Sequence, residues 1–477
     1  MTTFRSLIFF GSLLSILSEE AGGNLRSSSN QADYIIITPL SYQSISERLA
    51  AFRRVKNGFT VVVVTTDSIM AQFGRSVSPD TSLKVFIQFT LSSWHDPKPR
   101  YFLLSGNINT VASHPEREVI ENPGSASVDS ILMIDQWFVQ VVGNDGVERM
   151  NACIARLPAW DSASLSIMID KTIEYETDST GSWQNRAISL SDYSEADGDI
   201  FEHDSKYLQT FLDSLWTDTV SVHICCESCC HLCSTQFLEL WNRGASIVTY
   251  MGHAKQTQLS ATQFFTTCSI DSLTNGSRLP VCLLGGCDLT FDTGPARSIP
   301  THLLDRQAGG AVAVISCEGL MYEAETVLFF RSVIQSMIKN PHTPIGESFE
   351  AAMPGLVGDI CKRFTFLGDP ALTVRISTSG TFVLPPVETP RALTLEQNFP
   401  NPFNPSTVIS YQLSAISHVT LRVYDVLGRF VAALVDEKQN PGEHFSTFDG
   451  SRLPSGIYFY RIQAGSYTSV KKMILMK

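Results

Sequence analysis

Two short segments carry residue types capable of nucleophilic chemistry. Ser246 to Ala254 reads S-I-V-T-Y-M-G-H-A, an apolar run entering Gly252 and then His253. Leu279 to Asp288 reads L-P-V-C-L-L-G-G-C-D, an apolar run entering Gly285, Gly286 and then Cys287. A thiolate is a strong nucleophile, yet a free cysteine is only a few per cent ionised at neutral pH. An imidazole within reach raises that fraction or protonates a departing amine. Glycines at strand ends let backbone N–H groups approach a substrate carbonyl. The N–H groups of Cys287 and Ala254 are therefore the candidates for stabilising an oxyanion. Spacing alone also fits a buried, purely structural Cys and His.

The elements needed to position this pair are visible as alternating patterns. Tyr34 to Pro39, Phe59 to Thr65 and Tyr101 to Leu104 are short apolar runs expected to be buried strands. Ile45 to Lys56 and Leu83 to Trp94 have helical spacing, with Gly58 as a helix stop. After residue 180 the alternation resumes, with strands at Ile188 to Leu190, Ile247 to Tyr250, Val281 to Leu284 and Ala311 to Ile315. Helices are expected at Lys206 to Trp216 and Val327 to Met337. Such βαβ alternation implies an α/β fold with a mainly parallel sheet, and ligands of open parallel sheets gather beyond the carboxyl ends of the strands. Neighbouring strands would place His253 and Cys287 there side by side.

The expected organisation is an export signal at 1–23, an N-terminal α/β subdomain at 33–180 and a second at 181–376. A Ser/Thr/Gly/Pro-rich linker follows at 377–394, then an all-β unit at 395–477. Arg5 precedes an apolar stretch from Ser6 to Leu17, too short to span a membrane, with small residues at Ala21, Gly22 and Gly23. No other stretch reads as a transmembrane segment. With 43 % hydrophobic and 17 % charged residues the chain is globular, and its net charge of −12 argues against nucleic acid as a partner.

The 11 cysteines are an odd number, which leaves at least one thiol unpaired within an exported chain. Cys225, Cys226, Cys229, Cys230 and Cys233 crowd into His223 to Cys233, H-I-C-C-E-S-C-C-H-L-C. That density is compatible with a soft-metal site. Disulfides to Cys153, Cys268 or Cys317, or plain packing, account for it as well.

Across residues 33–376 the segments resemble, in order, those of the gingipain family of cysteine peptidases, in the caspase-like clan. Y-I-I-I-T-P at Tyr34 to Pro39 resembles its first strand, and Y-F-L-L-S-G-N at Tyr101 to Asn107 its L-L-V-G-D segment. I-A-R-L-P at Ile154 to Pro158 and I-D-K-T-I-E-Y-E at Ile169 to Glu176 resemble its G-R-L-P and K-I-x-x-Y-E run. Asn242 to Ala254 resembles the segment holding its histidine, Leu279 to Cys287 the segment holding its nucleophile, and F-L-G-D-P-A-L at Phe366 to Leu372 its closing signature.

The resemblance implies a caspase-like parallel-sheet catalytic region preceded by a smaller α/β subdomain. It implies Cys287 as nucleophile and His253 as general acid/base, acting through an acyl-enzyme on protein or peptide substrates. It implies Asp192 as acidic partner of the histidine and Asp199 as a receptor for a basic P1 side chain. It requires no cofactor, although family members can carry structural calcium. The chain departs from the family at Ala254, where Gly follows the histidine, and at Gly286, where Ala precedes the cysteine. Asn107 replaces an Asp, and Ala155 a Gly. Ala254 and Asn107 keep open a second reading, an inactive surface homologue acting in binding or secretion.

The tail carries L-E-Q-N-F-P-N-P-F-N-P-S-T at Leu395 to Thr407, V-Y-D-V-L-G-R at Val423 to Arg429 and S-G-I-Y-F-Y-R at Ser455 to Arg461. Short strands at Val408 to Leu413, His418 to Tyr424, Phe430 to Leu434, Gly456 to Gln463 and Ser469 to Met476, divided by turn residues, predict a β-sandwich. The motifs resemble the C-terminal sorting domain of the type IX secretion system. That resemblance implies secretion machinery as a partner and a Gram-negative cell surface or the medium as destination.

Overall fold

The computed structural model describes residues 23–74, 77–120, 128–142, 148–178, 181–193, 200–224, 230–321, 323–353, 362–376, 394–413, 417–439, 442–465 and 467–477. The expected export signal and linker lie outside these residues save Gly23 and Thr394, as do Asp199, Cys225, Cys226 and Cys229.

Ten strands form one sheet: β1 Tyr34–Thr38, β2 Val61–Thr65, β3 Tyr101–Ser105, β4 Cys153–Leu157, β5 Arg186–Ser191, β6 Asp218–His223, β7 Ile247–Met251, β8 Val281–Gly285, β9 Ala313–Cys317 and β10 Phe364–Leu367. Their order is β6-β5-β7-β8-β9-β10-β4-β3-β1-β2. Every pair is parallel except β9 with β10. Most of these strands are buried throughout, which explains their unbroken apolar sequence: helices cover both faces of the sheet. The α/β halves on either side of residue 180 share this one sheet, joined where β10 meets β4 at Leu367 and Arg156.

Six helices matter below: α1 Gln43–Asn57, α2 Pro79–Ser93, α3 Ser162–Thr177, α4 Ile200–Leu212, α5 Cys230–Arg243 and α6 Glu323–Lys339. Helix α1 ends at Gly58 in the left-handed conformation, φ 71°, as the stop signal predicts. Helix α3 starts at a capping box between Asp161 and Ser164. Helix α4 begins at Ile200 rather than Lys206, because Phe201, Asp204, Leu208 and Leu212 form a continuous buried stripe. The charge of the preceding run hid its first turn.

The tail folds as two facing sheets. One holds β11 Thr394–Leu395, β12 Ser406–Leu413 and β15 Gly442–Asp449. The other is ordered β14-β13-β16-β17, from β13 Ser417–Asp425, β14 Phe430–Gln439, β16 Gly456–Ala464 and β17 Tyr467–Leu475. Ile409, Tyr411, Leu421, Tyr460 and Met473 fill the space between them. Among the described residues, no helix is long and apolar enough to cross a membrane.

Candidate active site

Strand register brings the two candidate residues together. In the β7–β8 pair Met251 lies opposite Gly285, and the Gly252 N–H donates to the Gly285 carbonyl at 3.0 Å. His253 and Cys287 each stand two residues beyond that pair, at the carboxyl edge of neighbouring strands about 4.8 Å apart.

On the histidine side the turn is held from below. Asp192 follows β5, and its N–H donates to the Met251 carbonyl at 2.9 Å. Its carboxylate accepts from the backbone N–H of Tyr193 at 2.8 Å and of His253 at 3.2 Å. The Tyr250 hydroxyl donates to the His253 carbonyl, stands 3.5 Å from Asp192, and accepts from the Ser260 N–H at 3.0 Å. Burial first, then Asp192, pushes the Tyr250 phenol well above its ordinary pKa, so it remains a neutral donor. A Cβ on Gly252 would meet the Tyr250 hydroxyl at 2.5 Å and would overlap Asp192 more deeply, so this glycine is demanded by close approach. The imidazole is exposed and meets the edge of Phe201, from the first turn of α4, with ring centroids 5.1 Å apart at 84°.

The thiol is half-buried. Burial raises its pKa most, and Asp288 and Glu323 add to that; a backbone N–H from Met321, and Arg363, oppose it. The Met321 N–H reaches Sγ at 3.3 Å and is placed to steady a thiolate. Asp288 adopts a left-handed backbone, φ 50°, and its N–H donates to the Gly319 carbonyl at 2.9 Å, turning the chain sharply after Cys287. Glu318 anchors the next residues by accepting from the Phe291 N–H at 3.3 Å, and its burial pushes its carboxyl up to about 8.

This construction is a thiol and an imidazole on adjacent strand ends, with glycine-lined approaches. Residues 27–375, well over half of the chain, match peptidase family C25. The chain belongs to peptidase family C25. Curated relatives include gingipain R2 and gingipain R1 of Porphyromonas gingivalis, each 26 % identical over 201 residues, or 40 % of this chain. Those alignments span only 26 % and 20 % of the relatives' own length. A structure of the Porphyromonas gingivalis RgpB pro- and mature domains shares the fold, at TM-score 0.59 and 17 % identity, over 93 % of this chain and 100 % of that one. The Arg-specific cysteine proteinase gingipain R gives TM-score 0.58 and 17 % identity over 94 % and 98 %. Residues 397–476 match the secretion system C-terminal sorting domain, which directs the chain by type IX secretion to the cell surface or the extracellular space.

For this C25 chain the departures at the site resolve into geometry. A Cβ on Gly286 would lie 2.5 Å from the Cβ of Ala254 and 3.1 Å from the Gly252 carbonyl oxygen. The two positions face each other and hold one methyl group between them, so Ala254 and Gly286 are a single compensated exchange. Ala254 is absent from the residues with positive φ, so its side chain is unstrained there. Asn107 stands beyond β3, four strands from β8 and hence roughly 19 Å away across the sheet. Its side-chain oxygen accepts from the N–H of Asn109 at 3.0 Å and of Thr110 at 3.2 Å, a loop-closing role that Asn performs as well as Asp. Ala155 is likewise remote, buried within β4.

Other expectations fare differently. The hydrogen bonds of the Asp192 carboxylate run to the backbone N–H groups of Tyr193 and His253 and to Tyr250, so it holds the turn that carries His253. Asp199 lies outside the described residues, seven positions along the chain from Asp192 and next to the start of α4. Cys153, Cys268 and Cys317 are free thiols, which removes the disulfides offered for the cysteine cluster. Among the described residues, no group of three or more His, Cys, Asp or Glu is placed to hold a metal.

The sequence reading missed Tyr250, Phe201 and the Met321 N–H. It also missed Asp204, fully buried on α4 with neither carboxylate oxygen hydrogen-bonded. Burial and then Glu323 hold its carboxyl well above the usual range. An aspartate four residues from Ile200 and from Leu208 on one helical stripe was the available signal.

Proposed function

We propose that this C25 chain is an exported cysteine endopeptidase that works through Cys287 and His253. His253 takes the Cys287 proton, and Sγ attacks the scissile carbonyl carbon to form a tetrahedral oxyanion. The N–H groups of Cys287 and Ala254 stabilise that oxyanion. His253 returns the proton to the departing amine as the C–N bond breaks, leaving a thioester. Water then adds to the thioester carbon, giving a proton to His253; the second oxyanion collapses and releases the acid product, and the proton returns to sulfur. No cofactor enters this sequence. Asp192 acts through the backbone of His253, and Asp199 favours a basic P1 side chain.

The observation carrying this reading is the β7–β8 register, which sets His253 and Cys287 equal steps beyond Met251 and Gly285. The burial that raises the thiol pKa makes a neighbouring base necessary near neutral pH. The experiment is cleavage of a mixed peptide library by mature protein under reducing conditions, beside Cys287→Ala. Cleavage that disappears in the variant, with Lys or Arg at P1 that becomes unselected in Asp199→Asn, supports it. A folded wild type that cuts no peptide sinks it.

A further inference from the structure

The tail domain grips the two helices that run to the dyad. Phe399 stacks on His203, with centroids 5.1 Å apart at 18°, and on Tyr207, 4.9 Å apart at 24°. Both belong to the outer face of α4, one turn apart. On α6, Arg331 is buried, donates to the Tyr207 hydroxyl at 3.0 Å, and lies 5.0 Å from the centre of the Phe445 ring. Val408 is buried in the peptidase's own apolar core, with Phe399 and Phe445 packed against it. All three tail residues fall inside the sorting domain.

The starts of the same helices touch the chemistry. Phe201, two residues before His203, meets the His253 ring. Glu323 opens α6 just after Met321, whose N–H reaches the Cys287 sulfur, and its charge bears on the thiol. From Glu323 to Arg331 is about 12 Å along the helix axis, and from Phe201 to His203 about 3 Å. A rigid helix transmits a shift over such distances. Beside these contacts an open cleft of about 760 Å³ runs between the two surfaces, lined by Lys206, Thr210, Gln397 and Tyr411 among others.

We propose that the sorting domain is a cis-acting brace of the peptidase, docking through Phe399, Val408 and Phe445 to fix the helix starts that position His253 and Cys287. Its second half rests on the peptidase reading above. Tail and peptidase are then one functional unit while joined, and release of the tail loosens both sides of the dyad together.

The test uses the full mature chain as wild type, as Phe399→Ala on the tail side and as Tyr207→Ala on the peptidase side. Val470→Ala, on an exposed tail strand away from the interface, is the control. Hydrogen–deuterium exchange is read at residues 200–205 and 323–328, and labelling of Cys287 by a thiol-directed peptide electrophile is timed. Both interface variants are expected to exchange there roughly five-fold faster or more, and to label more slowly by a similar factor, the lower end of inter-site coupling. The control matches wild type. Unchanged exchange in both interface variants overturns the brace, and faster exchange with unchanged labelling overturns its reach to the site. A wild type that never labels defeats the peptidase reading instead, while exchange still decides the brace.

Discussion

The two halves of the sheet are built alike and finished differently. Near the carboxyl ends of β1, β3 and β4, Ser46, Thr38, Ser105 and Arg156 are buried polar groups with hydrogen-bond partners. The Ser46 hydroxyl lies within hydrogen-bond distance of Thr38 Oγ1 at 3.1 Å and of Ser105 Oγ at 3.2 Å. Arg156 is fully buried and uses all its donors: two bonds of 2.7 Å to Asp135 and others to the carbonyls of Gly106, Val111 and Ala112. At the ends of β5, β7, β8 and β9 the groups are held out of balance. Burial pushes the half-buried thiol up, neither Asp204 oxygen has a hydrogen-bond partner, and burial raises the Glu318 carboxyl to about 8. Polar groups satisfied by one another stabilise a fold, and groups shifted by desolvation beside a cleft are candidates for a functional site. The I-A-R-L-P segment therefore belongs to the scaffold, although it resembles the family as closely as the histidine segment does.

Arg156→Ala probes the scaffold half and has the largest expected cost. It leaves Asp135 buried without its cation and should destabilise by about 3–5 kcal/mol in denaturant unfolding. A loss below 1 kcal/mol would show that the two halves do not differ in this way.

Gly286→Ala probes the reactive half at its tightest contact. Overpacking against Ala254 should cost about 1–3 kcal/mol and slow Cys287 labelling. Ala254→Gly alone should be mild, and the double variant should recover most of the loss. Additive effects in the double-mutant cycle would deny the shared methyl space.

The last comparison concerns pH. The Glu318 carboxyl, ordinarily near 4.5, is raised by burial to about 8 in the folded state. Its folded state binds a proton that the unfolded state has lost, so its contribution is full below about pH 4.5 and disappears as pH rises through about 8. Between those limits wild-type stability should fall by at most about 1.4 kcal/mol per pH unit from this group. Glu318→Gln should flatten the slope in that window, as read from thermal unfolding across pH. Equal slopes in both proteins would place the burden on another group.

Local pattern carried much of the sequence reading. Strands β1, β2, β3, β7 and β8 are apolar runs with turn residues behind them, and that pattern needs no partner to be recognised. The glycines before His253 and Cys287 also show in one dimension. Strand β4 escaped because a charged Arg156 breaks its apolar run, and β6 because it is an edge strand of mixed polarity. The start of α4 escaped because Glu202, His203 and Asp204 look like a solvated loop until the buried stripe is seen.

By itself the sequence determined the βαβ alternation, the separate β-rich tail and the two candidate residues, His253 and Cys287, because periodicity and turn chemistry are properties of neighbouring residues. Only the tertiary structure decided that β7 and β8 adjoin, that Asp192 holds a backbone turn, that Ala254 and Gly286 share one methyl's space, and that Phe399 reaches α4. Those facts depend on which distant segments pack together, and steric exclusion between residues far apart in the chain leaves no periodic trace in the chain itself.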